Sequence, residues 1–266
     1  MKKSFVIGHD FGHTTKYGGA FCFMHAITDL HTHTVYSHGK GSIEDNVRVA
    51  ILRGLQTIGI ADHGPSHLFI GIGGANAFWQ MKKEIETLRH KYPEVEILLG
   101  VEANIVDTDG TIDVPAVILP ELDFLLVGYH KLVRPQSLAA FWQGARNFWS
   151  GWTKTSSEAL RATNTAAITA AVRRYPIVAI THPGLQIDID TAELGRVCKE
   201  YGTFLEINSS YGQELEQFIM EALPTGVCFL LSSDAHEPER VGDFFQAYQL
   251  IQRLQIPRER IVNLQK

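Results

Sequence analysis

Short apolar runs alternate with amphipathic stretches seven times between about residue 26 and the C-terminus. Several runs are nearly continuous in Ile, Val, Leu and Phe, which is typical of strands buried on both faces. Alternation of this kind predicts a parallel sheet whose strands are joined by crossover helices. The predicted strands are 26–30, 57–61, 96–101, 124–129, 177–181, 204–207 and 227–232, and the predicted helices include 43–54, 78–91, 157–175, 191–201 and 242–254.

The chain has 266 residues, of which 45% are hydrophobic, and this predicts one large α/β domain over residues 24–266. Residues 1–23 have no clear period and predict a loosely ordered N-terminal extension. An insertion around 133–156 is rich in aromatic residues and predicts an amphipathic helix that packs its rings on the exterior of the domain. A substrate lid or a partner surface is the alternative for its rings, which are Phe141, Trp142, Phe148, Trp149 and Trp152.

Charge and cysteine content restrict the partners. A net charge of −5 provides no basic field for long nucleic acids or for an anionic membrane surface. The three cysteines, Cys22, Cys198 and Cys228, show no Cys-x-x-Cys spacing, which argues against a disulfide framework and favours a cytoplasmic protein. No apolar run approaches the ~20 residues of a membrane span, and the start of the chain lacks the long apolar region of a signal peptide.

Histidines and acidic residues stand where nearly every predicted strand ends. His31 and His33 share one face of the first strand because side chains alternate, so both imidazoles could bind one metal ion. Asp234 and His236 repeat that spacing. In a closed parallel barrel the carboxyl ends of all strands lie on one face, where such barrels build active sites. The candidate metal ligands are His31, His33, His38, His63, Glu102, His130, His182, Asp234 and His236.

Imidazoles and carboxylates together suit zinc, with iron and manganese as alternatives. Nine ligands exceed what one ion needs. Three ions with three or four ligands each account for the number.

Seven short motifs, in order, resemble those of the PHP (polymerase and histidinol phosphatase) family. They are DLHTHT at 29–34, IADHG at 60–64, GVEAN at 100–104, GYH at 128–130, THPG at 181–184, EIN at 206–208 and SDAH at 233–236. The resemblance implies a distorted (βα)7 TIM-like barrel that holds three divalent ions at the carboxyl ends of its strands. Residues 1–23 and the aromatic insertion depart from the family pattern.

The resemblance also implies how the ligands are shared among the ions. The first ion would be held by His31, His33, Glu102 and Asp234, with Glu102 bridging to the second. The second would be held by Glu102, His130 and His182, and the third by His38, His63 and His236.

The leading hypothesis is a metal-dependent hydrolase, a phosphatase acting on a small phosphate monoester as histidinol phosphatases do. A hydroxide bridging two ions, held by Glu102, His130 and Asp234, would attack phosphorus. The chain has no Gly-x-Ser-x-Gly elbow, so a covalent serine nucleophile is not expected. Asp29 and Asp62 would orient ligands by accepting an imidazole N–H, or would cap their own loops. The candidate substrate contacts, which could equally be solvated charges, are Lys40, His67, Lys131, Arg134 and Arg161.

Three other functions remain open at this point. A phosphodiesterase or nuclease acting on nucleotides or short nucleic acids would use the same metals. A non-catalytic metal-binding module is expected to have lost ligands, and this chain retains all nine. An unrelated amidohydrolase barrel also begins with His-x-His, but the later motifs favour the PHP family.

Overall fold

The computed structural model describes residues 25–153 and 155–265, so the predicted extension over 1–23 lies outside the described residues. The strands are β1 Thr28–Thr32, β2 Thr57–Ile60, β3 Glu96–Leu99, β4 Glu102–Asn104, β5 Leu126–Gly128, β6 Ala179–Ile180, β7 Phe204–Asn208 and β8 Phe229–Ser232. The helices are α1 Ile43–Leu52, α2 Ala75–Lys91, α3 Leu138–Thr153, α4 Glu158–Arg174, α5 Thr191–Tyr201, α6 Glu216–Ala222 and α7 Phe245–Arg253.

The strands form two parallel sheets, in the orders β1-β2-β3 and β4-β5-β6-β7-β8. The run predicted as one strand over 96–101 is divided: β3 pairs with β2, whereas β4 pairs with β5. Isolated parallel bridges connect the two sheets at both seams, Thr32 with Ala235 and His63 with Glu102. The protein is therefore an α/β fold with parallel strands, and its described strands group into two sheets where a single closed barrel was expected.

Local sequence explains where several helices begin and end. Ser42 and Asp45 form a reciprocal capping box at the start of α1, which satisfies backbone N–H groups that have no partner within the helix. Asp190 accepts the N–H of Glu193 at the start of α5, and Gly202 ends that helix with a left-handed φ of 71°. The short helix α6 was not predicted, because seven residues show no clear apolar period.

Two apolar clusters form the core. The larger one lies between the helices and the strands. The smaller one gathers side chains from the strands of both sheets and from residues next to them, namely Leu30, Ala61, Leu98, Phe124, Leu126, Ala179 and Leu230. The ring of Phe124 occupies space left by Gly59 and Gly100, because a Cβ atom on either glycine would collide with that ring. Glycine is therefore needed at both positions for the Phe124 ring to approach the backbone of the two strands.

Helix α3 forms where the aromatic insertion predicted a helix, but the predicted packing of its rings is wrong. Trp142 is 61% exposed and Trp152 is 73% exposed, whereas Gln143 and Asn147 are buried. Both buried amides donate to Asn164 Oδ1 on α4, at 2.8 and 2.9 Å. The polar face of α3 can be buried because Asn164 accepts hydrogen bonds from its two amides. The aromatic face is exposed to solvent.

Within residues 25–153 and 155–265, no helix combines the length and the apolar character needed to cross a lipid bilayer.

Candidate metal centre

The ends of the strands bring the nine predicted ligands into one region. His31 is in β1, Glu102 begins β4, and the others lie within the segments that follow β1, β2, β5, β6 and β8. Three groups have potential ligand atoms within 4.8 Å of one another. These groups are His31, His33 and Glu102; His63, Glu102 and His130; and His33, His38, His63 and His236.

His31 and His33 face each other with their Nε2 atoms 3.1 Å apart. Asp234 Oδ1 lies 3.1 Å from His33 Nε2 and 3.5 Å from His31 Nε2. Glu102 Oε2 lies 3.4 Å from His31 Nε2. Donor atoms in a tetrahedral zinc site with Zn–N near 2.0–2.1 Å are about 3.3 Å apart, so these four side chains fit one ion.

A second pair of imidazoles faces the other oxygen of Glu102. His182 Nε2 lies 2.9 Å from Glu102 Oε1, and His130 Nε2 lies 3.3 Å from the same oxygen. The two nitrogens are 3.3 Å apart. Glu102 thus turns one oxygen toward each histidine pair, the geometry of a carboxylate that can bridge two ions.

The remaining histidines stack toward the protein surface. The His38 ring centroid lies 4.1 Å from that of His236 and 4.9 Å from that of His63. His33 packs against the same group, with its centroid 4.5 Å from that of His63. His38 is exposed and His236 is half-buried, so this third group is the most open part of the centre.

Hydrogen bonds fix the ring orientation of two ligands. His31 Nδ1 donates to Glu206 Oε1 at 2.6 Å, and His130 Nδ1 donates to Asn104 Oδ1 at 2.7 Å. A neutral imidazole that donates through Nδ1 presents an unprotonated Nε2, which is the form that binds a metal. Both rings therefore present a ligand nitrogen toward Glu102.

Some buried polar atoms in the centre are unsatisfied. Among the described residues, His33 Nδ1, His63 Nδ1 and Glu102 Oε2 are buried without a hydrogen-bond partner. Glu102 Oε2 does lie 2.8 Å from His63 Nδ1, but without hydrogen-bond geometry. Buried polar groups are nearly always paired, so these atoms indicate a missing partner. The imidazole-rich donor set fits zinc, iron or manganese better than magnesium or calcium.

The buried carboxylates and imidazoles of the centre shift one another's pKa. Burial raises the pKa of Glu102, but His130, His31 and His63 outweigh it and hold that pKa well below its usual value. Burial lowers the pKa of His31, yet Asp234, Glu206 and Glu102 together raise it well above its usual value. Burial also lowers the pKa of His63 to about 3. Buried carboxylates that stay ionised require nearby positive charge, which a divalent cation would supply.

Two candidate ligands stand on strained backbone. His182 has a φ of 28° and Asp234 a φ of 53°, in the left-handed region that side-chain-bearing residues rarely adopt. Such strain costs on the order of 1–3 kcal/mol per residue and persists only where the surroundings enforce it. Glu206 Oε2 accepts the His182 N–H at 2.6 Å, and Asn208 Nδ2 donates to Asp234 Oδ2 at 3.0 Å. These bonds hold both side chains toward the centre.

Sequence reasoning assigned no site role to Glu206, Asn104 or Asn208. Glu206 accepts from His31, from the His182 backbone and from the Ser232 hydroxyl. Asn104 holds His130. The signal was present in the sequence, because Glu206 and Asn208 belong to the EIN motif and Asn104 to the GVEAN motif.

Asp29 and Asp62 lie beside ligands, but neither accepts an N–H from an imidazole within the part of the chain that the structure describes. Asp29 accepts from the Ser233 hydroxyl and from the backbone N–H of Gly242. Asp62 accepts from the Thr34 backbone and hydroxyl and from the Ser37 hydroxyl. Both carboxylates instead hold loops from other parts of the chain that present ligands, so neither expected role, binding an imidazole or capping their own loops, describes these bonds.

The five residues predicted to contact the substrate lie in different places in the structure, and only some of them are near the centre. His67 is near the centre, with its ring centroid 5.8 Å from that of His63 and 6.0 Å from that of His130. Lys131 follows His130 and lines a cleft beside it. Lys40 pairs with Glu237, Arg134 is exposed, and Arg161 lies 3.6 Å from Asp188 and 3.5 Å from Glu221. The pairing of Lys40 and Arg161 with acidic residues disfavours a role in substrate binding.

Comparison with known proteins agrees with this geometry. The PHP domain family matches residues 29–210. A probable phosphatase of Thermoanaerobacter sp. (strain X514) is 33% identical over 250 residues, covering 90% of this chain and 91% of the relative. A probable phosphatase of Acetivibrio thermocellus is 28% identical, covering 90% and 92%.

Among solved structures, histidinol phosphate phosphatase from Lactococcus lactis, complexed with zinc, L-histidinol and phosphate, aligns with a TM-score of 0.59 and 14% identity. The alignment covers 91% of this chain and 99% of that one. At this identity the likeness shows the fold alone. The family match and the relatives along almost the whole chain together show that the protein belongs to the PHP domain family.

Proposed function

We propose that the protein is a metal-dependent phosphatase that hydrolyses a small phosphate monoester. The observation that carries this proposal is Glu102, whose two carboxylate oxygens each face a pair of imidazoles. The relatives named probable phosphatases, which align along 90% of the chain, support it. The neighbour solved with zinc, L-histidinol and phosphate makes histidinol phosphate the first substrate to assay.

The proposed ligand sets follow the three side-chain groups. His31, His33, Glu102 and Asp234 would hold one ion; Glu102, His130 and His182 a second; and His38, His63 and His236 a third. Zinc suits this donor set, with iron or manganese as alternatives. Bound divalent ions would supply Lewis-acid activation of phosphate oxygens and of water near neutral pH.

The chain's own residues would prepare the centre for that chemistry. Glu206 and Asn104 accept the Nδ1–H bonds of His31 and His130, which orients both rings with Nε2 toward Glu102, where a metal ion would bind. Asn208 fixes the carboxylate of Asp234. Burial excludes water from Glu102, which strengthens every interaction of its charge.

We also propose that residues 24–266 form one domain in which seven βα units close into a distorted barrel. The parallel bridges Thr32–Ala235 and His63–Glu102 join the two sheets at both seams and support this closure. If β3 and β4 act as one bent strand, the two sheets become one, and β8 lies next to β1 and closes the barrel. The candidate centre would then occupy the carboxyl end of the barrel.

The test is to count bound metal ions per chain and then to assay a phosphate monoester, a phosphodiester and histidinol phosphate. We expect close to three ions and turnover of monoesters. His130→Ala should abolish most of that turnover. The exposed His90 at the end of α2 offers a matched control, and His90→Ala should behave as wild type.

Fewer than two ions per chain would contradict the three-ion proposal. Turnover of the diester alone would replace the phosphatase with a phosphodiesterase or nuclease. Activity unchanged in His130→Ala would remove that residue from the mechanism.

A further inference from the structure

A cleft of about 270 Å³ lies between α3 and the loop that follows β5. His130 lines this cleft and is also part of the candidate metal centre. A phosphate bound at the centre would therefore have the cleft beside it. The rest of the same molecule, the group joined to phosphate through the ester oxygen, would enter this space if it extends past His130 toward α3.

Most polar side chains in the cleft wall already have partners. Gln143 and Asn147 point their amides to Asn164 on α4. Asp107 Oδ1 accepts from the Ser137 hydroxyl at 2.7 Å and from the Thr108 N–H at 2.7 Å. These groups stabilise the start and the packing of α3, so they offer little hydrogen bonding to a ligand.

Two further side chains define the character of the wall. The ring of Tyr129 is half-buried and packs against the apolar core. The Lys131 ammonium packs against α3 at Gly151, where an added Cβ would collide with it. The remaining surface is mainly aliphatic and aromatic, and it includes Leu68, Ile105, Val106, Val133, Phe141 and Phe148.

We propose that the alcohol released by this phosphatase is apolar, an alkyl or aryl group that lies in the cleft beneath α3. The proposal rests on the phosphatase function proposed above and specifies its substrate class. Apolar area removed from water stabilises a complex in proportion to that area. Each methylene that enters the cleft is expected to raise kcat/KM about fourfold, until the cleft is full.

The test compares methyl, butyl, hexyl and phenyl phosphates as substrates. In the wild type, kcat/KM should rise along the alkyl series and be high for phenyl phosphate. Glycerol phosphate, which has a polar alcohol of similar size to butanol, should be poorer than butyl phosphate. Comparison of hexyl with phenyl phosphate separates an alkyl from an aryl occupant.

Gly144 offers a steric probe of the cleft. It lines the cleft, and a Cβ added to it meets no atom within 4 Å, so Gly144→Trp can fill the space without a backbone clash. We expect this variant to lose at least tenfold in kcat/KM for hexyl phosphate while methyl phosphate changes by less than twofold. Ala139→Trp, on the exposed part of the same helix outside the cleft, is the matched control and should keep the wild-type preference.

Binding of methylphosphonate and hexylphosphonate, measured by calorimetry, separates this inference from the phosphatase proposal. Hydrolysis of all esters without dependence on chain length would overturn the apolar cleft and leave the phosphatase intact. Tighter binding of hexylphosphonate without turnover of any ester would overturn the phosphatase alone. If Gly144→Trp does not fold, Gly144→Leu should give the same trend, and an unchanged preference in a folded Gly144 variant would overturn the proposal.

Discussion

Glu102 is the residue on which the candidate centre depends. It is fully buried, and its carboxylate lies within 4 Å of imidazole nitrogens of His31, His33, His63, His130 and His182. An isolated buried carboxylate would be too costly to remain ionised, so its surroundings must supply positive charge. Protonated imidazoles can do so only in part, because burial lowers the pKa of His33 to about 4 and that of His63 to about 3.

Replacing Glu102 by glutamine tests this dependence with little change of shape. Glu102→Gln removes the charge that would join two ions, so we expect bound metal to fall by two ions per chain. We expect kcat/KM to fall by more than about 100-fold, the upper end of the effect of residues that only orient ligands. Metal analysis measures the number of bound ions, and steady-state kinetics measure kcat/KM. Glu86→Gln, on the exposed face of α2, is the control, and equal metal content in the two variants would contradict the bridging role.

Asn104 orients the ring of His130 by accepting its Nδ1–H bond, and a double-mutant cycle tests whether this is how Asn104 affects the centre. Asn104→Ala removes the acceptor for His130 Nδ1–H, so we expect a 10- to 100-fold loss in metal affinity or activity. In the His130→Ala background the same change should have almost no further effect, because the ring it orients is absent. Additive losses in the two backgrounds would mean that Asn104 acts through Asp113 or Gly64, its other partners.

The difference between the ligands and their supporting residues explains what the sequence could predict. Strand-end histidines are recognisable because the spacing of motifs is preserved along the chain. The bond from His31 to Glu206 joins residues 175 positions apart, and that from Ser233 to Asp29 spans 204 positions. Nothing local specifies such pairs, so the partners of Glu206, Asn104 and Asp29 required the three-dimensional structure.

Helix α3 shows how one tertiary contact can reverse an element's orientation. Its aromatic residues predicted an amphipathic helix with the rings packed on the exterior of the barrel, but these rings are exposed. Asn164 on α4 instead satisfies Gln143 and Asn147, and its own Nδ2 donates to Asn147 Oδ1 at 2.8 Å. A buried amide without a partner costs free energy, so a complete network of three amides can decide which face is buried.

Substitution of Asn164 should release α3. Asn164→Leu leaves the amides of Gln143 and Asn147 buried without their common acceptor, at a cost of about 1–3 kcal/mol for each. We expect the free energy of unfolding to fall by about 2–6 kcal/mol for the two amides together, and hydrogen exchange to increase selectively over 138–153. Urea unfolding measures the change in the free energy of unfolding, and hydrogen-exchange mass spectrometry measures the exchange over 138–153. Thr163→Leu, an exposed neighbour on α4, should change stability by less than about 0.5 kcal/mol, and equal effects of the two substitutions would contradict the network.

The whole molecule has an apolar interior below the strand ends and a charged centre at them. Phe124 and its neighbours fill the space between the two sheets, while β1, β4 and the segments after β1, β2, β5, β6 and β8 present the ligands. The α/β class and most strand positions were predictable because buried parallel strands read as continuous apolar runs. The division of 96–101 into β3 and β4 was not, since the change of pairing partner depends on the opposite sheet.

Metal binding should therefore stabilise the fold as a whole. The candidate ligands belong to both sheets, so ions bound by them would join the sheets and would not bind the unfolded chain equally well. A site with free metal at 100 times its Kd adds about 2.7 kcal/mol to the free energy of unfolding. For a chain of this size that corresponds to an increase in Tm of about 5–10 °C per site.

Thermal unfolding with added zinc or manganese, compared with unfolding after treatment with a chelator, measures this increase. Glu102→Gln should retain only a small part of the metal-dependent increase, because it would leave only the third group intact, whereas Glu86→Gln should retain all of it. A Tm that is the same with metal and with chelator would contradict the proposal that the centre binds ions. An increase of equal size in Glu102→Gln and wild type would place the stabilising ions elsewhere, because Glu102 belongs to the ligand sets of two of the three proposed ions.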